Sequence, residues 1–180
     1  VSARNPDVPA QYSRPDKKAP FEPVTFSQMF TAAKNFAAGL LSLGVVRGEK
    51  IGFISDDRKE WQQADLGILS IGACDVPRGC DASANDLKYI LSFTEVKICI
   101  AENSSQAKKI ISVKSEIPTL EKFISFDDFD DETIELCKKA GVEVLKFNDV
   151  VKAGIEFNEK NPEAVDAEID KGEWDDVAGI

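Results

Sequence analysis

Apolar and polar residues alternate along this chain with the periods of helices and of buried strands. Residues 60–71 carry apolar side chains at helical spacing, and Gly72 ends that pattern. Residues 74–77 form a short apolar run, which predicts a buried strand, and the polar residues 78–81 predict a turn. Ser83, with an acidic residue three positions later, predicts the N-cap of another helix. The apolar positions of the first of these helices are Trp61, Ala64, Ile68 and Ile71.

The same succession of helices and strands extends over most of the chain. The first helix is predicted to begin at Thr25 or Ser27 and to end before Gly44, a residue suited to a C′ cap. Short apolar strands that alternate with helices predict an α/β fold, with a mostly parallel sheet flanked by helices. The apolar face of the first helix is predicted to contain Phe26, Met29, Phe30, Ala33, Ala37, Leu40 and Leu41. The other predicted elements are strands 50–55, 97–101, 122–126 and 142–147, and helices that begin at Ser104 or Ser105, at Glu132 and at an N-cap Asn148.

The composition divides the chain into three parts. Residues 1–23 are rich in proline and polar side chains, which predicts an extended or irregular arm. Residues 24–160 form the predicted α/β body. Residues 161–180 predict an acidic connector followed by the start of a strand at Val177. The chain has no initiator Met and stops in an apolar half-strand, so we expect a fragment of a longer protein.

The charge and the missing histidines exclude several classes of function. The formal net charge of −10 argues against nucleic acid and anionic membrane as primary partners, since both attract basic surfaces. Without histidine, the chain itself cannot contain a Ser-His-Asp or Cys-His catalytic site, nor a zinc site that needs imidazole. These kinds of site are therefore excluded within this chain.

The cysteine pattern bears on the cellular compartment. The four cysteines include no C-x-x-C pair, and Cys74 and Cys99 lie in strand-like segments that predict small core residues. Unpaired thiols suggest a reducing compartment, and hence the cytoplasm. No signal peptide opens the chain, and no apolar run approaches the roughly 20 residues that span a bilayer.

Paired carboxylates stand at the end of the first predicted strand of the body. Asp56 and Asp57 could hold Mg²⁺, as in phospho-receiver domains. That use also needs a later strand-end aspartate and a lysine beyond it. Asp127 follows a strand, but no lysine stands at the right place after it. The alternative is that Asp56 or Asp57 caps the next helix.

A second candidate is the turn after the strand at residues 74–77. Arg78 could meet an anion because a guanidinium suits phosphate, and Gly79 permits close approach. Lys108 and Lys109, which follow a neighbouring strand, could lie at the same edge of the sheet. The alternative is an ordinary surface turn.

Several motifs, in this order and spacing, resemble the adenylate-forming enzymes. Residues 24–30 (VTFSQMF) and the turn from Leu43 to Ile51 (LGVVRGEKI) resemble the helix and turn that open these enzymes. Residues 55–61 (SDDRKEW) resemble their S-x-N-[RS]-x-E-W motif, with Asp57 where asparagine is usual. Residues 69–77 (LSIGACDVP) resemble their G-[AG]-x-x-V-P element. Within the family, SDDRKEW and DVPRG look most like long-chain fatty-acid–CoA ligases.

The resemblance implies an ATP-dependent ligase whose chemistry lies outside this chain. In the family a fatty acid reacts with Mg-ATP to form acyl-AMP, and CoA then displaces AMP to form the thioester. The phosphate-binding loop, the Mg²⁺-binding acid and the mobile C-terminal domain are expected beyond Ile180. The resemblance thus implies that the chain is the inactive N-terminal part of such a ligase and contains no catalytic residue and no metal ligand. It also implies that Arg78 and Gly79 lie near the nucleotide end of CoA.

The resemblance leaves other properties open. The complete enzyme could associate peripherally with membranes, and a truncated chain should expose apolar surface through which it self-associates. The complete protein could also adenylate another acid. A different class of function, a stand-alone α/β binding or assembly module without catalysis, is the alternative.

Overall fold

A computed structural model describes residues 4–14 and 18–180. Strands and helices alternate from the first long helix to the last strand, as the sequence predicts. The strands are β1 (Pro9–Ser13), β2 (Glu22–Thr25), β3 (Lys50–Ile54), β4 (Cys74–Arg78), β5 (Ile98–Ala101), β6 (Lys122–Ser125) and β7 (Glu143–Lys146). The helices are α1 (Phe26–Ser42), α2 (Lys59–Ser70), α3 (Ala84–Phe93), α4 (Ser104–Ile111), α5 (Asp131–Lys139), α6 (Phe147–Lys160) and α7 (Ala164–Ile169), with a 3₁₀ turn at Lys114–Glu116.

A five-stranded sheet in the order β4-β3-β5-β6-β7 forms the centre of the protein, and all its neighbouring pairs are parallel. Helices cover both faces, which is why β5 is apolar throughout and β3 is apolar after Lys50. Phe36 of α1 and Ile68 of α2 pack on one face, whereas Leu87 of α3 and Ile110 of α4 pack on the other. This arrangement confirms the predicted α/β fold, and it brings the carboxyl ends of all five strands to one edge.

Local capping signals in the sequence specify several helix ends. Thr25 caps α1 and forms a capping box with Gln28. Ser83 and Asp86 form the same motif at the start of α3. Gly44 lies just past the end of α1 with φ of +84°, a conformation that glycine adopts without strain. These predicted ends are confirmed.

Some expectations about individual elements are wrong. Asn148 does not cap α6, because the helix already begins at Phe147, after Lys146. On α1, Phe30 is 44% exposed, and Phe36, which was not predicted to face the core, is fully buried.

The two segments outside the α/β body contain regular structure that their composition did not predict. In the arm, β1 pairs antiparallel with β2, which begins in the arm and ends at Thr25. In the connector, α7 packs on α1 and α2 through its buried residue Val165. Residues 15–17 of the arm, and residues 1–3, lie outside the described part of the chain.

The segment at residues 177–180 follows the edge of β4. The Asp75 amide donates to the Ala178 carbonyl over 3.0 Å, and the Ile180 amide donates to the Asp75 carbonyl over 3.1 Å. Gly179 thus forms an isolated parallel bridge with Asp75, where the start of a strand was predicted. Within residues 4–14 and 18–180, no helix is both long and apolar enough to traverse a bilayer.

Candidate functional site at the carboxyl edge of the sheet

Polar side chains from three adjacent strands meet at the carboxyl edge of the sheet. Ser55 and Asp56 directly follow β3, the turn at residues 79–82 follows β4, and Glu102 follows β5. Because β3 lies between β4 and β5, these three strand ends are neighbours. Ligands of open α/β sheets generally bind at this edge, so these strand ends form the candidate site.

Glu102 connects the three strand ends. Its Oε2 atom accepts hydrogen bonds from the Ser55 hydroxyl over 3.0 Å and from the Asp56 amide over 2.8 Å. The same oxygen lies 3.5 Å from the Cys80 thiol, and Oε1 accepts a bond from the Asn103 side chain over 3.2 Å. No sequence motif indicated a role for Glu102, although its position directly after a buried strand was a usable signal.

The turn after β4 is held from both sides. Within it, the Ala82 amide donates to the Gly79 carbonyl over 3.2 Å. On one side the Cys80 amide donates to Asp56 Oδ1 over 2.9 Å. On the other, the Lys109 ammonium donates to the carbonyls of Cys80 and Ala82 over 2.8 and 2.7 Å. The turn therefore has a defined backbone conformation.

The two adjacent lysines of α4 have different surroundings. Lys109 reaches the turn after β4, as predicted. Lys108 does not, because its ammonium pairs with Asp130 over 3.3 Å and with Glu132 over 2.5 Å on α5 and its cap. The prediction that both lysines lie at the site is therefore wrong for Lys108.

Asp56 and Asp57 do not cap α2, contrary to one of the two predictions. The N-cap of this helix is Arg58, and no side chain caps its amides. Asp127 reaches the edge of the sheet but pairs with the Arg58 guanidinium over 3.0 Å. The same guanidinium pairs with Glu60 over 2.8 Å. The pairing of Asp127 with a guanidinium differs from the carboxylate cluster of a receiver domain.

Asp56, Cys80 and Glu102 offer ligand atoms that lie within 4.8 Å of one another. Burial, together with the Glu102 charge, raises the pKa of the Cys80 thiol to about 11, so the thiol is protonated at neutral pH. A protonated thiol is a poor metal ligand, and Mg²⁺ prefers oxygen ligands. The carboxylates already accept hydrogen bonds. This donor set fits a hydrogen-bonded network better than a Mg²⁺ site.

An open cavity of about 590 Å³ adjoins the turn. The indole of Trp61, which is stacked on Phe53 with ring centroids 5.0 Å apart, forms part of its wall. Arg78 also contributes to the wall, and its Nη1 atom donates to the Pro77 carbonyl over 2.5 Å. The complete lining is Ser55, Asp56, Asp57, Trp61, Pro77, Arg78 and Gly79.

This arrangement can be compared with known proteins. The model of the AMP-binding enzyme family matches residues 1–180, the whole chain. The chain belongs to this family. Its curated relatives, all at modest identity, include a long-chain-fatty-acid–CoA ligase and a fatty acyl-CoA synthetase. A long-chain-fatty-acid–CoA ligase, FadD15, of Mycobacterium tuberculosis is 28% identical over 121 residues, which are 67% of this chain and 20% of that protein. Fatty acyl-CoA synthetase A of Dictyostelium discoideum is 24% identical over 147 residues, 81% of this chain and 21% of that protein.

Solved AMP-binding enzymes share the fold. The anthranilate–CoA ligase AuaEII, crystallised with anthranoyl-AMP, is 25% identical, with a TM-score of 0.68 over 83% of this chain and 26% of that one. A long-chain-fatty-acid–CoA ligase, FadD1, of Archaeoglobus fulgidus has a TM-score of 0.67 at 17% identity, over 85% of this chain and 28% of that one. The chain thus spans only about a fifth of the length of the two curated relatives.

Proposed function

We propose that this chain is the N-terminal part of an AMP-forming long-chain fatty-acid–CoA ligase. The main support for this proposal is the family match over all 180 residues. The names of curated relatives, which are long-chain ligases, support it further. The complete enzyme would join a fatty acid to the α-phosphate of ATP, releasing pyrophosphate. CoA thiolate would then attack the acyl carbonyl and release AMP. The four free cysteines are compatible with a cytoplasmic enzyme.

Within this proposal, the described residues contribute scaffold and part of one binding surface. Glycine-rich phosphate loops place several amides around a nucleotide, and the sequence contains no such loop. ATP and Mg²⁺ would therefore bind mainly to residues of the complete ligase outside this chain. The chain alone should not catalyse either half-reaction.

Arg78 and Gly79 are proposed to contact the anionic nucleotide end of CoA. The support is geometric: both line the cavity at the carboxyl edge, and the turn that begins at Gly79 is fixed by Asp56 and Lys109. Glycine allows close approach of a ligand to the backbone, and a guanidinium can pair with phosphate. Arg78→Ala in the complete enzyme should raise the KM for CoA more than the KM for ATP.

We also propose that the isolated chain self-associates near the edge of β4. Trp174 is 94% exposed, and Val177 and Ile180 are also exposed beside the incompletely paired β4. Exposed apolar side chains next to a free strand edge favour association. Light scattering over a tenfold concentration range should show a rising mass.

In the complete ligase, a peripheral contact with the membrane would bring the enzyme to its lipid substrate. Flotation with neutral vesicles tests this contact.

The substrate class can be tested by ATP–pyrophosphate exchange on the complete native protein. A panel of acetate, benzoate, octanoate, palmitate and oleate separates the possibilities. Exchange that depends on palmitate or oleate supports the proposal. Exchange with a short or aromatic acid alone would assign the protein to another adenylating enzyme. The absence of exchange with every acid would favour a binding module.

A further inference from the structure

The turn after β4 has two backbone amides that remain available to a ligand. Several of its other polar groups are engaged: the Cys80 amide with Asp56, the Ala82 amide with the Gly79 carbonyl, and the Cys80 and Ala82 carbonyls with Lys109. Among the hydrogen bonds of residues 4–14 and 18–180, none uses the amide of Gly79 or of Asp81. Successive free amides in a turn can form a concave site for anions.

The ammonium of Lys109 binds backbone carbonyls, whereas that of Lys108 binds carboxylates. Its half-buried ammonium forms no ion pair within the described residues, and it donates to two backbone carbonyls of one turn. Hydrogen bonds from a charged donor are stronger than neutral ones, so they restrict the turn more firmly. Because Lys109 holds the Cys80 and Ala82 carbonyls towards α4, these carbonyls are withheld from the cavity.

The charge around the turn gives Lys109 a second effect. Glu102 contacts the Cys80 thiol, and Asp56, which binds the Cys80 amide, also lines the cavity together with Asp57. Asp81 Oδ1 lies 2.8 Å from the position that a Cβ atom on Gly79 would take. This negative charge opposes the binding of phosphate. The ammonium of Lys109 offsets part of this charge at short range. If Lys109 were neutral, the turn would be less ordered, and an anion bound to the Gly79 and Asp81 amides would lose part of its electrostatic stabilisation.

We propose that Lys109 is a positioning residue that orders the turn at residues 79–82 as a binding surface for the phosphates of a nucleotide. Lys109 does not itself contact the ligand. This inference rests on the proposed contact of Arg78 and Gly79 with CoA, and it extends that contact to the Gly79 and Asp81 amides. The ordering of the turn can nevertheless be tested without any ligand.

The test uses four forms of the protein: wild type, Lys109→Met, Lys109→Arg and the matched control Lys108→Met. Hydrogen exchange reports the protection of the Cys80 and Ala82 amides, and calorimetry reports the Kd for adenosine 3′,5′-bisphosphate, the nucleotide end of CoA. We expect Lys109→Met to lose at least about tenfold of this protection and to bind the bisphosphate at least about fivefold more weakly. Lys109→Arg should restore both within about twofold, and Lys108→Met should match wild type.

Each outcome has a distinct meaning. Unchanged exchange in Lys109→Met would overturn the positioning role. Weaker protection with unchanged bisphosphate affinity would overturn the link between turn order and binding. Weaker protection together with a wild type that does not bind the bisphosphate would support the positioning role and contradict the CoA contact at Arg78 and Gly79. A melting temperature measured for each form separates local loosening from unfolding.

Discussion

Gly39 of α1 and Gly154 of α6 face each other where the two helices cross. A Cβ atom built on Gly154 would lie 2.6 Å from the Gly39 amide nitrogen and 1.9 Å from the Asn35 carbonyl oxygen. The two backbones thus approach more closely than any side chain allows. This contact fixes α6 against the apolar face of the sheet and so sets the position of the last part of the α/β body.

Gly154→Ala should therefore destabilise the protein, although alanine is the better helix former. The methyl group must push α6 away from α1, and overpacking of this kind typically costs about 1–3 kcal/mol. Urea unfolding measures the change. The control is Lys152→Ala on the exposed face of α6, where the side chain pairs with Asp149. The expected change is within about 0.5 kcal/mol. An unchanged free energy of unfolding in Gly154→Ala would contradict the close crossing.

The proximity of Asp65 and Asp75 should make the stability of the protein depend on pH. Burial, and then the neighbouring Asp75, raise the pKa of Asp65 to about 6. The folded state therefore binds a proton more tightly than the unfolded state, whose aspartates titrate near 4. This contribution is fully present below pH 4 and is lost as the pH rises through 6. Because Asp65 is only partly buried, solvent screening reduces the effect to roughly 1 kcal/mol.

Asp65→Asn should remove this dependence. The variant should be more stable than wild type at pH 8, and the difference should shrink between pH 6 and pH 4. Denaturant unfolding at four pH values measures the profile. If wild type and variant show parallel profiles over this range, the carboxyl pair does not titrate as described.

Glu102 should control the reactivity of the Cys80 thiol. Burial raises the pKa of this thiol, and the Glu102 charge raises it further. Glu102→Gln removes that charge, so the pKa should fall and more thiolate should be present at pH 8.5. We expect alkylation of Cys80 by iodoacetamide to become several-fold faster, as followed by mass spectrometry of the labelled peptide. The buried Cys99 provides an internal reference that should stay unreactive. An equal or slower rate at Cys80 would contradict the contact.

Arg47 should hold residues 164–176, which include α7, against the α/β body. Its guanidinium donates to the Glu168 carbonyl and to the Asp176 carboxylate, both over 2.5 Å. Arg47→Ala should lower the local stability of residues 164–176 by about 1–3 kcal/mol, because it removes the charge-assisted bonds to Glu168 and Asp176. Hydrogen exchange measures this change. The control Lys171→Ala removes only a surface pair with Glu168 and should have little effect. Faster exchange in both variants would contradict a specific role of Arg47, because the surface charges of the segment would then stabilise it as a group.

Local signals in the sequence were sufficient to predict most of the fold. A cap such as Ser83 depends on residues three positions away, and the positive φ at Gly44 depends on the absence of a side chain. Both can be read from a short stretch. Phe30 and Phe36 show the limit of this approach, because α1 contacts α2, α6 and α7, and periodicity alone cannot say which aromatic side chain lies towards them.

The candidate site was less predictable because its contacts join distant residues. Lys108 and Lys109 look equivalent in sequence, yet adjacent side chains on a helix point about 100° apart, and only Lys109 reaches the turn. Glu102 contacts Asp56 across 46 positions, which no local pattern encodes. The strand-end positions of Arg78 and Gly79 were predictable, whereas the groups that hold their turn were not.

Acid-dependent release of pyrophosphate from Mg-ATP tests the central claim most directly. The assay is run with palmitate on the complete native protein and, in parallel, on this 180-residue chain. We expect release by the complete protein and none by the chain alone, because the sequence contains no phosphate loop. Release by neither, across short, aromatic and long-chain acids, would contradict the ligase assignment. Release by the isolated 180-residue chain would also contradict this claim, because these residues would then contain an adenylating site.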